Sequence, residues 1–320
     1  MYKLGLVLAG GGGKGSYQIG VWKAIIELGL DKYISAIAGT SVGALNACLI
    51  HQGNYEIAEK IWLDDKLSEK ILCFNEEKEE LIIKRILKAT SIAQIPFAVL
   101  NSLRHILSSG IFSRAGMEEI IDNSLNFDYL INSNIPVFAT ISHNYPFNRK
   151  PVYFNLKGNE KDKIKKTLLA TSAIPIAFGK ENIDKVNYVD GGLVDNVPVQ
   201  PLYDYGCNII IVVHLSRDYI IDFQKFPNSK IIEIVPQNFL GNLFEGTLKF
   251  DRDTMQERIL LGYKDAMDIL KSVFEILHSG AAVTKSIELM INNEVEYIRK
   301  NKEIDTEIED VKRQINRYKK

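Results

Sequence analysis

The chain has 320 residues, of which 46% are hydrophobic and 25% charged, and its formal net charge is -1. These values are ordinary for a folded globular protein, and the near-zero charge gives no support for nucleic-acid binding. A chain of this length buries a sizeable core, which we expect to form one large unit with an appendage. The cysteines Cys48, Cys73 and Cys207 are odd in number and form no CxxC pair. We therefore expect no disulfide framework and a reducing, cytoplasmic compartment.

The first predicted elements alternate between buried strands and helices. Leu4–Ala9 is typical of a buried strand, and its short apolar run, ending in glycines, argues against a signal peptide. A helix is predicted next, then a strand over Ile34–Ala38 and a helix over Val42–Ile50. This order predicts parallel strands joined by right-handed crossovers. No uncharged apolar stretch reaches the roughly 18–20 residues that a membrane-spanning helix needs.

The remaining elements continue a mixed pattern. Residues 54–112 are predicted to be mostly helical, as are Asp162–Thr171 and the chain from Asp253 onward. Further strands are predicted at Pro136–Ser142, Pro151–Leu156, Val186–Val189, Asn208–Leu215 and Lys230–Val235. The pattern as a whole predicts an α/β fold.

A serine lies in the turn between the second predicted strand and its helix, within Gly39-Thr40-Ser41-Val42-Gly43. The Gly-x-Ser-x-Gly pattern is weak alone, but here the serine can occupy a tight, strained turn with its hydroxyl exposed. Gly39 and Gly43 remove side chains where strand and helix approach closely. The helix N-terminus behind Ser41 favours a developing oxyanion. Ser41 is thus a candidate nucleophile, and the alternative is an ordinary helix N-cap.

The glycine run Gly10–Gly15 fits Gly-x-Gly-x-x-Gly between a strand and a helix. A dinucleotide fingerprint is one interpretation, but Asp31, near the required distance, precedes the second predicted strand. A Walker loop fails on spacing, because Lys14 is followed by glycine. An oxyanion loop fits better, since the amides of Gly11–Gly13 can face one centre beside Ser41. Lys14 either holds this loop, attracts an anionic head group or is simply solvated.

A serine hydroxyl needs a base to take its proton, and two kinds of base compete. Asp190 follows a short predicted strand, and the two glycines after it leave the carboxylate uncrowded. Burial there raises the pKa of an aspartate and makes it a better base. The alternative is a Ser-Asp-His triad with His214, which ends an apolar strand, or with His278. The non-catalytic interpretations are an Asp-Gly turn and structural histidines.

Three motifs in this order resemble those of the patatin-like phospholipases: Gly10–Gly15, Gly39–Gly43 and Asp190–Gly192. Other stretches that are similar to the family are Ala170–Pro175, Asp190–Val199, Tyr205-Gly206 and Gly262–Ala266. The resemblance covers roughly residues 3 to 270. The sequence departs from the family pattern at Ile176 and Gly179, which leaves the wall of the site less defined.

The resemblance implies a three-layer patatin-like fold, with a mainly parallel central sheet flanked by helices, plus a helical C-terminal extension. It also implies a serine-dependent lipid acyl hydrolase of phospholipase A or lysophospholipase type, without metal or cofactor. Ser41 corresponds to the nucleophile, Asp190 to the general base and Gly10, Gly11, Gly12 and Gly13 to the oxyanion hole. The residues that support these motifs are Lys14, Gly15, Gly39, Gly43, Gly191 and Gly192. Competing hypotheses are a triad carboxylesterase, a non-catalytic nucleotide-binding module and a catalytically silent lipid-binding or scaffold protein.

Two segments bear on domains and partners. We expect a phospholipase domain over 3–270, with 54–112 as a helical insertion or lid, and a helical extension over 271–320. Within the insertion, Ile92–Leu107 is typical of a lid or membrane-interface segment and equally of a buried helix. The extension carries a narrow apolar seam, which predicts a helix that docks on the body or self-associates. Its residues are Ile304, Ile308, Val311, Ile315 and Tyr318. The expected partners are a lipid or phospholipid and a membrane surface, and no nucleic acid.

Overall fold

The computed structural model describes residues 3–71, 113–144, 149–174 and 178–271, together with residues 292, 296, 299 and 300. The chain divides into two compact units, Met1–Ile269 and Leu270–Lys320. The proposed interface segment 92–107 and the apolar seam 304–318 lie outside the described residues, so both stay predictions, as do the domain boundaries. Among the described residues, no helix is long and apolar enough to cross a membrane.

The first unit is built on a sheet of eight strands. The strands are β1 (Leu4–Leu8), β2 (Ile34–Thr40), β3 (Val137–His143), β4 (Pro151–Asn155), β5 (Glu181–Ile183), β6 (Val186–Asp190), β7 (Ile209–Val213) and β8 (Lys230–Ile234). The described helices are α1 (Ser16–Glu27), α2 (Val42–His51), α3 (Tyr55–Trp62), α4 (Leu67–Ile71), α5 (Ala115–Ser124), α6 (Phe127–Asn132), α7 (Lys161–Thr171), α8 (Gln200–Asp204) and α9 (252–271).

The strands lie in the order β5-β6-β3-β2-β1-β7-β8, and β4 also pairs with β3. Strands β3, β2, β1, β7 and β8 are parallel to one another, which confirms the predicted parallel core. The other end of the sheet is antiparallel, through the pairs β3–β4, β3–β6 and β5–β6. The sequence predicted the strands β4 and β6 of this end but neither β5 nor the antiparallel pairing, in which β5 and β6 form a hairpin. Its two-residue turn, Asp184 and Lys185, has positive φ at both positions, and so short a turn joins only antiparallel strands.

The central strands are apolar along their whole length because both faces of the sheet are covered. Every residue of β1 is buried, and β7 is the run Ile-Ile-Ile-Val-Val. Helix α2 is also buried along most of its length and contacts β1, β2 and β3. A buried helix of this kind keeps the turn that precedes it rigid.

The parallel register brings two motif loops to one edge of the sheet. Leu8, the last residue of β1, lies opposite Gly39 of β2 and opposite Val213 of β7. Asp190 ends β6 and pairs with Ile141 near the end of β3. The glycine loop, the serine turn and the aspartate therefore meet where the carboxyl ends of the parallel strands form the usual site of an α/β fold.

Candidate active site

Ser41 occupies a strained position between β2 and α2. Its backbone has φ 54° and ψ -126°, which is a conformation that non-glycine residues rarely adopt. Such strain costs on the order of 1–3 kcal/mol and persists only where the surrounding structure enforces it. A Cβ atom at Gly39 would lie 2.3 Å from the carbonyl oxygen of Gly43, and one at Gly43 would lie 2.2 Å from that of Leu8. The turn closes only because both positions are glycine.

Thr171, at the end of α7, holds this turn from the side. The backbone N–H of Ser41 donates to Thr171 Oγ1 at 2.9 Å, and that hydroxyl donates to the carbonyl oxygen of Thr140 at 2.5 Å. One buried hydroxyl thus joins the serine turn to β3 and α7. No functional role was predicted for Thr171, which belongs to a small-residue helix end.

Asp190 lies beside the serine and is only 5% exposed. Its carboxylate shares a cavity with the Ser41 side chain, and Oδ1 accepts from the Gly192 N–H at 2.7 Å. Burial raises the pKa of Asp190 to about 6, although the Gly192 N–H and the nearby Ser41 side chain favour the charged form. A Cβ atom at Gly191 would lie 2.3 Å from the Thr140 carbonyl oxygen. The structure therefore brings together the predicted nucleophile and base, with the aspartate poised to take a proton near neutral pH.

Among the described residues, no histidine shares a cavity with Ser41 and Asp190, as a Ser-Asp-His triad would require. His214 Nε2 lies 2.8 Å from Glu233 Oε2, and burial lowers the pKa of the imidazole. His278, the second triad candidate, lies outside the described residues.

The glycine loop lies directly beside Ser41, but its first amide is already engaged. Gly10 N–H donates to the Asn196 carbonyl oxygen at 3.2 Å, and Asn196 Nδ2 donates back to the Gly10 carbonyl oxygen at 3.2 Å. The Gly10 N–H is therefore already bonded to Asn196, and the oxyanion role of Gly10–Gly13 stays a prediction. The next bonded amide of the loop is that of Lys14, which donates to the Gly11 carbonyl oxygen. Within the described part of the chain, the amides of Gly11–Gly13 have no acceptor.

A buried polar network supports the far end of the loop. Asn46 Nδ2 donates to the Gly15 carbonyl oxygen at 2.9 Å and to Gln18 Oε1 at 2.8 Å. Gln18 Nε2 donates to the Ala9 carbonyl oxygen at 2.7 Å, and Trp62 Nε1 donates to Asn46 Oδ1 at 2.9 Å. Both ends of the loop are thus fixed through side chains of α1 and α2. A fully satisfied network of this kind holds the backbone in one position.

Two cavities meet at Ser41, and both are bordered by Gly12, Ile174 and Thr247. The first, which we name the polar cavity, is the more polar of the two, and its lining includes Asp190, Lys14, Asn196, Ser216, Asp218 and Tyr219. The second extends from the serine between α2, α3 and α5. It is apolar, and its walls include Leu45, Leu49, Trp62, Met117, Ile121 and Phe250. The serine hydroxyl therefore stands at the junction of a polar and an apolar compartment.

Lys14 brings a positive charge to the polar cavity. Partial burial and the nearby Arg258 lower the pKa of Lys14, while Asp218 opposes this shift. Its Nζ lies 6.0 Å from the centroid of the Phe239 ring. Among the described residues, no group of three or more His, Cys, Asp or Glu side chains is arranged to hold a metal ion.

A known protein family matches the part of the chain that carries the glycine loop, the serine turn and Asp190. The family "Patatin-like phospholipase" matches residues 6–203, which is well over half of the chain. The chain therefore belongs to the patatin-like phospholipase family, as the sequence motifs predicted. Its central sheet flanked by helices is the mixed α/β fold expected for that family.

Individual relatives are distant. The chain is 25% identical over 213 residues to "Lysophospholipase nte1" of Aspergillus terreus, and this match covers 67% of the chain but only 12% of that protein. Among solved structures, VipD from Legionella pneumophila is 14% identical with a TM-score of 0.38, over 85% of this chain and 67% of that one. The type III effector ExoU of Pseudomonas aeruginosa is 17% identical with a TM-score of 0.40, over 84% of this chain and 53% of that one.

Proposed function

We propose that this protein hydrolyses fatty-acyl esters of lipids, as a phospholipase A-type enzyme or a lysophospholipase, through a dyad of Ser41 and Asp190. The observation that carries the proposal is that the Ser41 side chain shares a cavity with the buried Asp190, close enough to favour its charged form, while burial raises the pKa of Asp190 to about 6. A base of this pKa is mostly ionised at neutral pH yet holds a proton well enough to take one from serine.

The reaction follows from the positions of these groups. Asp190 takes the proton of the Ser41 hydroxyl as its oxygen attacks the ester carbonyl carbon. The amides of Gly11–Gly13 stabilise the resulting oxyanion, and each such donor is worth about 3–4 kcal/mol of barrier. The intermediate collapses to an acyl-serine, and the departing alkoxide takes the proton from Asp190. Water then attacks the acyl-serine with Asp190 again as base, which releases the fatty acid and restores Ser41.

The two cavities support a lipid as the substrate. The apolar cavity beside Leu45, Leu49 and Phe250 suits an acyl chain, whose burial is worth about 0.8 kcal/mol per CH₂. The polar cavity, with Lys14 and Asp218, suits the alcohol half of the ester and its head group. An ester that spans both cavities places its carbonyl carbon at Ser41.

Exposed apolar side chains near the polar cavity support contact with a membrane surface. We name as the rim the residues Leu193, Tyr219, Ile220, Phe223 and Phe239. Leu193 and Tyr219 line the polar cavity, while Ile220 is 93% and Phe239 78% exposed. Tyr219, Ile220 and Phe223 follow β7 in the chain, and Phe239 follows β8 and lies near Lys14 of the polar cavity. Large apolar side chains at the mouth of a site are suited to enter the lipid–water interface.

The decisive test is the reaction of Ser41 itself. Ser41→Ala is expected to lower the rate of hydrolysis of a short p-nitrophenyl ester by at least about 10³-fold. The same substitution is expected to abolish labelling by a fluorophosphonate probe. In the unaltered protein the rate is expected to rise with pH through about 6, because only ionised Asp190 accepts the serine proton. Retained turnover in the Ser41→Ala protein would overturn the proposal.

A matched substitution separates the dyad from the triad. His214→Asn is expected to keep most of the activity, because His214 contacts Glu233 and does not line the Ser41 cavity. A loss as large as that of Ser41→Ala would favour the triad. Tight NAD binding without any esterase activity or probe labelling would instead favour the nucleotide-binding module.

A further inference from the structure

The match to the family ends at residue 203, yet a later segment borders the site. Residues 240–249, which we name the capping segment, include a π-helical turn at Leu243–Thr247. Thr247 borders both cavities, and Leu248 and Phe250 border the apolar one. The capping segment is therefore part of the candidate site, although none of its residues carries a recognisable motif.

The capping segment touches the glycine loop through backbone atoms. A Cβ atom at Gly12 would lie 2.3 Å from the Thr247 carbonyl oxygen, and one at Gly13 would lie 2.1 Å from the Lys249 carbonyl oxygen. Gly12 also has φ +54°, a conformation that favours glycine. This contact leaves no room for side chains, so any shift of the capping segment is transmitted to the amides of Gly12 and Gly13.

Arg258 of α9 holds the capping segment from inside and is only 5% exposed. Its Nη2 donates to the carbonyl oxygens of Leu240 at 3.0 Å and Glu245 at 2.9 Å. Its Nη1 donates to those of Gly246 and Lys249, both at 3.3 Å. The Lys249 carbonyl oxygen therefore accepts from Arg258 and also packs against Gly13.

A buried guanidinium is costly unless its donors are satisfied. Here four backbone carbonyls satisfy it, and Asp251 and Glu257 act on it only through longer-range attraction. Burial lowers the pKa of Arg258, although the guanidinium stays charged. This positive charge also suits the carbonyl end of the π-helical turn, where backbone oxygens lack helical partners.

We propose that Arg258 is a positioning residue for the oxyanion hole. It fixes the capping segment against Gly12 and Gly13 and so sets where their amides point, without touching the substrate. This inference rests on the proposed function, since the oxyanion belongs to ester hydrolysis. Only arginine suits the position fully, because its planar fork of five N–H donors reaches four carbonyls, whereas a lysine has three donors on one atom.

The test compares Arg258→Met, Arg258→Lys and the control Arg252→Met. Arg252 lies on the same helix, is half-exposed and pairs with Asp65 at the surface. With a short p-nitrophenyl ester, we expect Arg258→Met to lower kcat at least about 100-fold and Arg258→Lys about 10-fold, with KM within about 3-fold. The pH midpoint near 6 stays in place, because Asp190 keeps its surroundings. Arg252→Met stays within about 2-fold of the parent.

Hydrogen exchange of the bonded amides of Lys14, Thr247 and Lys249, which lie in the glycine loop and the capping segment, separates this inference from the proposed function when it is measured on the same proteins. Faster exchange in Arg258→Met but not in Arg252→Met supports the positioning role of Arg258, even if the parent protein shows no esterase activity. A parent protein without esterase activity would contradict only the proposed function. A folded Arg258→Met protein with parental kcat and exchange overturns the inference. If Arg258→Met does not fold, Arg258→Lys decides, and a parental kcat in that variant overturns the inference equally.

Discussion

Burial of the Asp190 carboxylate lowers the stability of the folded protein and raises the pKa of that carboxylate. The carboxylate lies in a buried position beside Ser41, with the Gly192 N–H and the nearby Ser41 side chain to offset the loss of water. Its pKa rises from 3.8 to about 6, so the folded protein holds the ionised form at a cost. Each pKa unit corresponds to about 1.4 kcal/mol, so the charged carboxylate destabilises the fold, while in the proposed mechanism the same shift makes it a better base.

We predict that Asp190→Asn raises the free energy of unfolding by up to about 3 kcal/mol at pH 8 while it abolishes hydrolysis. At pH 8 the aspartate is ionised in both states, and only the folded state bears the burial cost. As the pH falls, the folded protein takes up the proton first, so the advantage of the asparagine shrinks to about half at pH 5. Urea denaturation at both pH values measures this difference. A variant less stable than the parent at pH 8 would contradict the burial argument.

At the scale of elements, the serine turn depends on how β2, β3 and α7 are joined. Thr171 provides this joint, because its hydroxyl accepts from the Ser41 N–H and donates to the Thr140 carbonyl oxygen. All three groups are buried, so no water replaces a lost partner. The strained φ of Ser41 therefore relies on a side chain from another element.

Thr171→Val keeps the shape of the side chain and removes the hydroxyl. We expect it to destabilise the protein by about 2 kcal/mol, since a buried N–H loses its acceptor, and to lower kcat at least about 10-fold through a looser serine turn. Thr171→Ser keeps the hydroxyl and is the matched control, with a loss of about 1 kcal/mol or less. Urea denaturation and initial rates measure both effects, and equal behaviour of the two variants would refute this role.

The helices, strands and turns differ in how well the sequence predicts them. The units β1–loop–α1 and β2–turn–α2 were predicted because an apolar run and a glycine turn are local signals. The pairing of Ser41 with Asp190 came from the motifs and their family resemblance. The β5–β6 hairpin was missed, since its turn residues Asp184 and Lys185 adopt positive φ without a glycine. Thr171 was missed because its role depends on partners that are distant in the chain.

At the scale of the whole molecule, the site extends beyond the matched family region. The match covers 6–203, whereas the capping segment, Arg258 and most of the rim come later. Their contacts join backbone carbonyls, a guanidinium and exposed apolar side chains, none of which leaves a pattern in the sequence. Such features become visible only when the segments that follow β7 and β8 are placed at the edge that carries Ser41.

The rim carries the last prediction, which concerns the approach to lipid. In a Ser41→Ala background, Ile220→Ser with Phe239→Ser is expected to weaken binding to phosphatidylcholine vesicles at least about 10-fold, because each side chain contributes about 1.5–3 kcal/mol when fully buried in apolar surroundings. Ile57→Ser is the control, since Ile57 is 43% exposed on α3 and lies outside the rim. Cosedimentation measures the binding.

Two further measurements test the role of the rim: the dependence of vesicle binding on salt and lipid charge, and the rate of hydrolysis of a soluble ester. The charges next to Tyr219–Phe223 in the chain, Arg217, Asp218, Asp222 and Lys225, cancel, and Lys14 near Phe239 leaves one positive charge, so binding is expected to change only modestly with salt or anionic lipid. With Ser41 restored, the double variant is expected to hydrolyse a soluble short-chain ester within about 2-fold of the parent rate, because neither side chain touches Ser41 or Asp190. Vesicle binding equal to that of the Ile57→Ser control would show that the protein meets lipid through another surface. An equal loss on the soluble ester would instead mean that the substitutions damaged the site itself.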